Sequence, residues 1–97
     1  MNIMKTIKVP GSNKKHKVLI YSISTCGWCN RAKKFLKDNN VEYEYVDIDQ
    51  CNMEDKRKII KDIQSRGGTL AYPTLIIDNE TLLTGAPQDK LREILEI

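Results

Sequence analysis

The sequence predicts a small α/β domain in which helices flank a mixed β-sheet, in the order β-α-β-α-β-β-α. Its 97 residues are enough for one hydrophobic core and too few for two, so we expect a single domain over residues 1–97. Apolar runs typical of strands alternate along the chain with stretches of helical spacing. A helix between the first two strands favours parallel pairing, and a short turn before the last strand favours a hairpin, so the predicted sheet is mixed.

The first half of the chain is predicted to contain two strands joined by a helix, which begin the order given above. Lys17 to Ser22 contains four consecutive apolar or aromatic residues, which is typical of a strand buried on both faces at the centre of a sheet. From Val41 to Ile48 apolar and acidic residues alternate, as in a strand. Residues 1–16 are predicted as an extra edge strand or a basic arm, with weak alternation over residues 3–9. Between the two strands, Cys29 to about Asn39 is predicted as a helix with apolar positions Trp28, Ala32, Phe35 and Leu36.

The second half is predicted to contain a helix, two paired strands and a final helix. Asp49 to Asn52 offers residues that start helices, and Gly67-Gly68 ends the helix that follows. Thr74 to Asp78 is another buried strand, and a polar turn returns the chain as an antiparallel strand over Thr81 to Thr84. Pro87 suits the first position of the final helix. The predicted core faces are Met53, Ile59, Ile60 and Ile63 in the second helix and Leu91, Ile94 and Leu95 in the last.

Charge and cysteine usage narrow the class of protein. Sixteen basic and thirteen acidic residues give a net charge of +3, which is too mild to require nucleic acid and favours encounters with acidic protein surfaces. No segment approaches the roughly 18 apolar residues of a membrane span, and Lys5, Lys8 and Pro10 interrupt the N-terminus too early for a signal peptide. Three cysteines do not make the framework of a secreted disulfide-rich domain. We therefore expect a cytoplasmic protein with no nucleic-acid or membrane partner.

The motif Cys26-Gly27-Trp28-Cys29 lies directly after the first buried strand and directly before the first helix. The first turn of a helix presents unpaired N–H groups and the positive end of the helix dipole, which favour a thiolate at Cys26. With Cys29 one turn away, the attacking sulfur has a partner that can close an internal disulfide. The pattern predicts a dithiol redox protein whose catalytic residues are Cys26 and Cys29.

The same two thiols are also half of a zinc site. A structural zinc needs four ligands, and beyond this pair the only soft candidates are Cys51 and His16, with no second C-x-x-C motif in the chain. The alternative function is therefore a metal carrier, or an iron–sulfur cluster carrier using cysteines of two subunits. The dithiol interpretation requires no metal and no cofactor.

Four other residues also bear on the chemistry of the two cysteines. Trp28, between the two sulfurs, is expected both to pack and to form part of the surface around them. Lys33 and Lys34 are interpreted as a solvated helix face, with a modest lowering of the thiol pKa as the alternative. Cys51 is interpreted as an incidental thiol or helix-start residue rather than a regulatory cysteine.

These residues resemble a known family. The stretch from Ile20 to Cys29, the following Ala32 to Leu36, and the segments Tyr72-Pro73-Thr74 and Thr84-Gly85-Ala86 are similar to glutaredoxins, in the family's order. The resemblance runs from about Lys17 to the C-terminus. It implies a thioredoxin-like fold and a thiol–disulfide oxidoreductase, expected to be a monomer.

The resemblance also implies a substrate site. Pro73 is similar to the family's cis-proline, which stands against the sulfurs, and Tyr72 would offer its backbone to an extended substrate. Trp28 and Gly85 complete the expected substrate-binding residues. The implied partners are disulfide-containing proteins, ribonucleotide reductase or similar targets among them. The implied reductant is glutathione or an enzyme of the thioredoxin-reductase type.

Two departures from the family pattern concern glutathione. Ile23 stands where many glutathione-using members have a lysine, and Ala86-Pro87-Gln88-Asp89 only partly resembles their Gly-Gly and acidic pair. Glutathione carboxylates need cationic and backbone donors, since burying an unpaired carboxylate is costly. We therefore expect weak coupling to glutathione.

Overall fold

A computed structural model describes residues 6–85 and 87–97 of the chain, so Ala86 and residues 1–5 are outside the description. The predicted order of elements is confirmed, with one additional strand in front and a short 3₁₀ turn before the second helix. The elements are β1 (Ile7–Val9), β2 (Val18–Ser22), α1 (Gly27–Asp38), β3 (Tyr43–Asp47), the 3₁₀ turn (Ile48–Gln50), α2 (Met53–Ser65), β4 (Thr74–Ile77), β5 (Thr81–Thr84) and α3 (Gln88–Leu95).

Within the described residues, the five strands form one mixed sheet in the order β1-β3-β2-β4-β5. Strand β2 is central, as predicted, and pairs parallel to β3 because α1 carries the chain across the sheet between them. On its other side β2 pairs antiparallel to β4, which forms the predicted hairpin with β5. Both parallel strands end at the same edge of the sheet, directly before the residues that carry the chemistry.

The core lies in two layers because neighbouring side chains of a strand point to opposite faces. Ile20 belongs to the layer with α1 and α3, whereas Tyr21 belongs to the layer with α2. The first layer contains Val18, Ile20, Phe35, Leu36, Val41, Tyr43, Leu75, Ile77, Leu91 and Leu95. The second contains Tyr21, Val46, Ile48, Ile59, Ile63 and Ile76. This arrangement fixes α1, and with it the cysteine motif, against the carboxyl end of β2.

The chain before β2 is a docked segment rather than a free basic arm. Strand β1 pairs antiparallel to β3 at the edge of the sheet, with Ile7 opposite Tyr45. Asn13 then donates its N–H to the Asn40 carbonyl at 2.8 Å and accepts from the Glu42 N–H at 3.0 Å. The predicted strand at residues 3–9 is therefore confirmed over Ile7–Val9, and its first three residues lie outside the described part of the chain.

One predicted core residue and one predicted strand boundary require correction. Met53 was predicted on the buried face of α2 but is 64% exposed. It precedes Ile59 by six residues, which at 3.6 residues per turn places it roughly 120° around the helix from the core face. Val41 was predicted to begin β3, but the strand starts at Tyr43 because the Val41 N–H bonds to the Leu36 carbonyl at the end of α1.

Candidate active site

Cys26 caps the N-terminus of α1. Its backbone is extended, with φ −84° and ψ 122°, and its Sγ accepts a hydrogen bond from the Cys29 N–H at 3.3 Å. The pKa of Cys26 is lowered, and the largest cause is the thiol of Cys29. Burial opposes this with a smaller effect. The pKa is lowered further by the backbone N–H groups of Cys29 and Trp28 and by the Lys33 ammonium. A thiolate at Cys26 therefore has donors at the helix terminus that are already in place.

Cys29 differs from Cys26 in its exposure and in the direction of its pKa shift, although both are free thiols. Its side chain is fully buried, at 0% exposure, and its Sγ accepts from the Ile23 N–H at 3.5 Å. Burial, followed by the hydrogen bond to Cys26, raises the pKa of Cys29 to about 12. The pair consists of one accessible sulfur that favours the thiolate and one inaccessible sulfur that favours the thiol.

The two lysines that follow the motif have different surroundings, so the prediction of a solvated face is wrong for one of them. Lys33 Nζ lies 3.0 Å from Asp47 Oδ1 with only 17% of the lysine side chain exposed, and it sits 3.9 Å from the ring centre of Tyr45. Lys34 is 74% exposed and pairs with Asp38 on the helix surface. Being four residues after the buried Cys29, Lys33 lies on the inner side of α1, and its charge favours both thiolates.

Trp28, Tyr72 and Gly85 meet in an open cavity of about 450 Å³, which Ala71, Thr84 and Pro87 also line. Trp28 is predicted both to pack and to form part of the surface around the sulfurs. It is 59% exposed in the first turn of α1 and forms one wall of this cavity, so its place is on that surface rather than in the core. Three of the four predicted substrate-binding residues thus surround one space beside the motif.

Pro73, the fourth, lies behind this cavity rather than on its surface. The Tyr72–Pro73 peptide bond is cis, as expected, and Pro73 is buried. Its carbonyl accepts from the Gly85 N–H at 2.8 Å. Gly85 has φ +82°, a conformation that glycine adopts without the steric cost of a side chain. Pro73 therefore supports the wall that Gly85 forms.

The two additional metal-ligand candidates have other partners. His16 Nδ1 lies 2.6 Å from Asp78 Oδ2 and its Nε2 lies 3.0 Å from Glu96 Oε2. The Cys51 thiol donates to the Asp47 carbonyl at 3.5 Å, and burial raises the pKa of Cys51. Over residues 6–85 and 87–97, no group of three or more Cys, His, Asp or Glu side chains is placed to hold a metal ion. The metal-carrier alternative is not favoured.

One residue of the site was not identified from the sequence. Asp49, interpreted as a helix-start residue, accepts from the Ser24 N–H at 2.9 Å and from the Ser24 hydroxyl, in the loop that leads into Cys26. The available signal was its position just after β3, since the carboxyl ends of two adjacent parallel strands meet at one edge.

The mixed sheet, the dithiol motif at a helix N-terminus and the cis-proline define a protein of the thioredoxin-fold class. A family model described as Glutaredoxin matches residues 18–82, and the chain therefore belongs to the glutaredoxin family. Within the described residues, no helix is both long and apolar enough to traverse a bilayer.

Relatives and solved structures agree with this assignment. Glutaredoxin 1 of Rickettsia felis is 36% identical over 64 residues, which are 66% of this chain and 60% of that protein. The match thus spans less than two thirds of the relative's length. The crystal structure of the glutaredoxin from Methanosarcina mazei Go1 superposes with a TM-score of 0.86 at 29% identity, covering 97% of this chain and 90% of the other. Methanoredoxin of Methanosarcina acetivorans superposes with a TM-score of 0.79 at 34% identity, covering 84% and 85%.

Proposed function

We propose that this protein is a thiol–disulfide oxidoreductase that reduces disulfides through a Cys26/Cys29 dithiol–disulfide cycle. The observation that carries the proposal is the opposite character of the two sulfurs. Cys26 is reachable and has a lowered pKa, while Cys29 is fully buried and has a pKa raised to about 12. Glutaredoxins are generally enzymes of this type, and the site has the parts that the reaction needs.

In the first step the Cys26 thiolate attacks one sulfur of a substrate disulfide. A new S–S bond forms between Cys26 and that sulfur, and the other substrate sulfur leaves as a thiolate that takes a proton from solvent. The cavity walled by Trp28, Tyr72 and Gly85 is the space beside the motif in which the substrate chain would lie. Tyr72 would offer its backbone there, held by the cis-proline behind it.

In the second step Cys29 loses its proton to the solvent and its sulfur attacks Cys26 Sγ. The Cys26–Cys29 disulfide forms as the bond from Cys26 to the substrate breaks, and the second substrate sulfur leaves as a thiolate that takes up a proton. Two electrons have then moved from the protein to the substrate. The hydrogen bond and charge of the Cys26 thiolate contribute to the raised Cys29 pKa, and both vanish once Cys26 is in a mixed disulfide. The Ile23 N–H and the Lys33 ammonium remain to stabilise the Cys29 thiolate.

Serine variants test these roles. Cys26→Ser should abolish reduction of a protein disulfide, and Cys29→Ser should still attack and then accumulate as a mixed disulfide on residue 26. Mass spectrometry locates the adduct, and Cys51→Ser serves as the control that should turn over normally. Undiminished reduction by Cys26→Ser, or an adduct on Cys51, would refute the assignment.

The electron donor is part of the same proposal. Ile23 is half-buried against the apolar layer under α2, so at this position the site offers a hydrophobic contact and no cation for a glutathione carboxylate. We therefore expect the oxidised protein to be restored by NADPH with a thioredoxin-reductase-type enzyme faster than by glutathione with its reductase. Efficient turnover through glutathione alone would contradict this. Protein targets such as ribonucleotide reductase, a monomeric state and a cytoplasmic location stay predictions.

A further inference from the structure

A network of hydrogen bonds joins the end of β3 to the loop in front of the cysteine motif. Asp49 Oδ1 accepts from the Ser24 N–H at 2.9 Å, and Oδ2 accepts from the Ser24 hydroxyl. The Gln50 side-chain amide donates to the same Oδ2 at 3.2 Å. The hydrogen bonds from Ser24 lower the pKa of Asp49, so the carboxylate is charged at neutral pH and acts only as an acceptor.

The residue before Ser24 contacts both halves of the motif. The Ile23 carbonyl accepts from the Cys26 N–H at 3.0 Å, and the Ile23 N–H donates to Cys29 Sγ at 3.5 Å. The Cys29 N–H in turn donates to Cys26 Sγ at 3.3 Å. Together these hydrogen bonds hold Cys26 at the N-cap of α1, where its sulfur meets a backbone donor. Loop position and sulfur reactivity are therefore linked through Ile23.

We propose that Asp49 is a positioning residue, which holds Ser24 and Ile23 so that Cys26 stays at the N-cap of α1, where the Cys29 N–H donates to its sulfur. Asp49 touches neither sulfur. Its effect on Cys26 passes through the two loop residues Ser24 and Ile23. The proposal deepens the proposed function, since it rests on Cys26 as the attacking sulfur.

The test measures alkylation of Cys26 by iodoacetamide against pH, in a Cys51→Ser background with the adduct located by mass spectrometry. Loss of a hydrogen bond to a thiolate predicts that Asp49→Ala is alkylated about three- to tenfold more slowly at pH values below the Cys26 pKa, with no change at high pH. Asp49→Asn should lie between, because its side-chain oxygen still accepts from the Ser24 N–H. Asp55→Ala, which removes a carboxylate from the first turn of α2, is the matched control and should leave the profile unchanged.

An unchanged or faster rate for Asp49→Ala would overturn the proposal. A faster rate is what a purely electrostatic role predicts, since removing a nearby negative charge favours a thiolate. If Asp49→Ala does not fold by circular dichroism, Ser24→Ala takes its place, with a smaller slowing expected because the backbone bond remains. Equal profiles for Ser24→Ala and the parent would then refute the role of the network. Alkylation reports on Cys26 even in a protein that reduces no disulfide, so the failure of this proposal and that of the proposed function are distinguishable.

Discussion

Replacing Lys33 by Met should destabilise the protein far more than the same change at the neighbouring Lys34. Both ammonium groups form an ion pair at a similar distance, 3.0 Å from Lys33 to Asp47 and 2.8 Å from Lys34 to Asp38. The side chains of Lys33 and Asp47 are only 17% and 16% exposed. Those of Lys34 and Asp38 are 74% and 59% exposed. Removing one partner of a fully buried pair costs about 3–5 kcal/mol, because the other charge stays buried. Since water reaches part of the Lys33–Asp47 pair, we expect a loss of about 2 kcal/mol, against less than about 0.5 kcal/mol for the exposed pair.

Thermal and urea unfolding of the two variants measure this difference. For a domain of this size a loss of 2 kcal/mol lowers Tm by roughly 8–16 °C, which is well resolved from the small shift expected for Lys34→Met. Adding Asp47→Leu to Lys33→Met should recover part of the loss, because it removes the unpaired carboxylate while the buried Ser22 hydroxyl keeps only the Val46 carbonyl as its acceptor. Equal stabilities of Lys33→Met and Lys34→Met, or no recovery in the double variant, would refute the reasoning from burial.

Two further predictions concern the segment before β2. The pKa of His16 is raised from 6.5 by hydrogen bonds to Asp78 and Glu96, so its stabilising contribution is complete below about pH 6.5 and is lost as the pH rises through the higher folded pKa. Urea unfolding should show the advantage of the parent over His16→Gln shrinking as the pH rises above about 6.5 through the raised folded pKa, and a pH-independent difference would contradict this. Gly11→Ala should destabilise the protein by about 1–3 kcal/mol. A Cβ at this position would lie 2.5 Å from the Asn40 carbonyl oxygen and 2.7 Å from the Glu42 backbone nitrogen. Gly27→Ala, whose Cβ would meet nothing within 4 Å, is the control for the same unfolding assay, and equal stabilities of the two variants would show that the segment is not docked.

The order of elements could be predicted because each carries its own local signal. The apolar run around Ile20 and the one around Ile76 are short, β-branched and bounded by polar residues, which is typical of buried strands. The apolar character of Met53 does not place it in the core, because its angular position on α2 turns it away from the face that carries Ile59. Trp28 has the helical spacing of the apolar side of α1, but it lines a cavity with residues of the segment 71–87, a neighbourhood that no local pattern contains.

The two reactive cysteines of the site could be predicted from the sequence, but the side chains that surround them could not. Cys26 and Cys29 follow from spacing and from their position at a helix start. The burial of Lys33 requires knowing that Asp47 lies under α1, and the role of Asp49 requires knowing that its carboxylate faces Ser24 across 25 residues. Such contacts arise from the packing of elements distant in sequence, so only the fold reveals them.

The complete burial of Cys29 has a consequence for the kinetics of the proposed cycle. A colliding molecule can reach only one of the two sulfurs, so substrate and electron donor must react at the same atom in turn. Initial rates should then follow a double-displacement scheme, with parallel reciprocal plots and inhibition by an excess of either partner. No ternary complex of donor, protein and acceptor would form. The direction of net electron flow would be set by the reduction potentials of the two partners and by the ratios of their oxidised and reduced forms in solution.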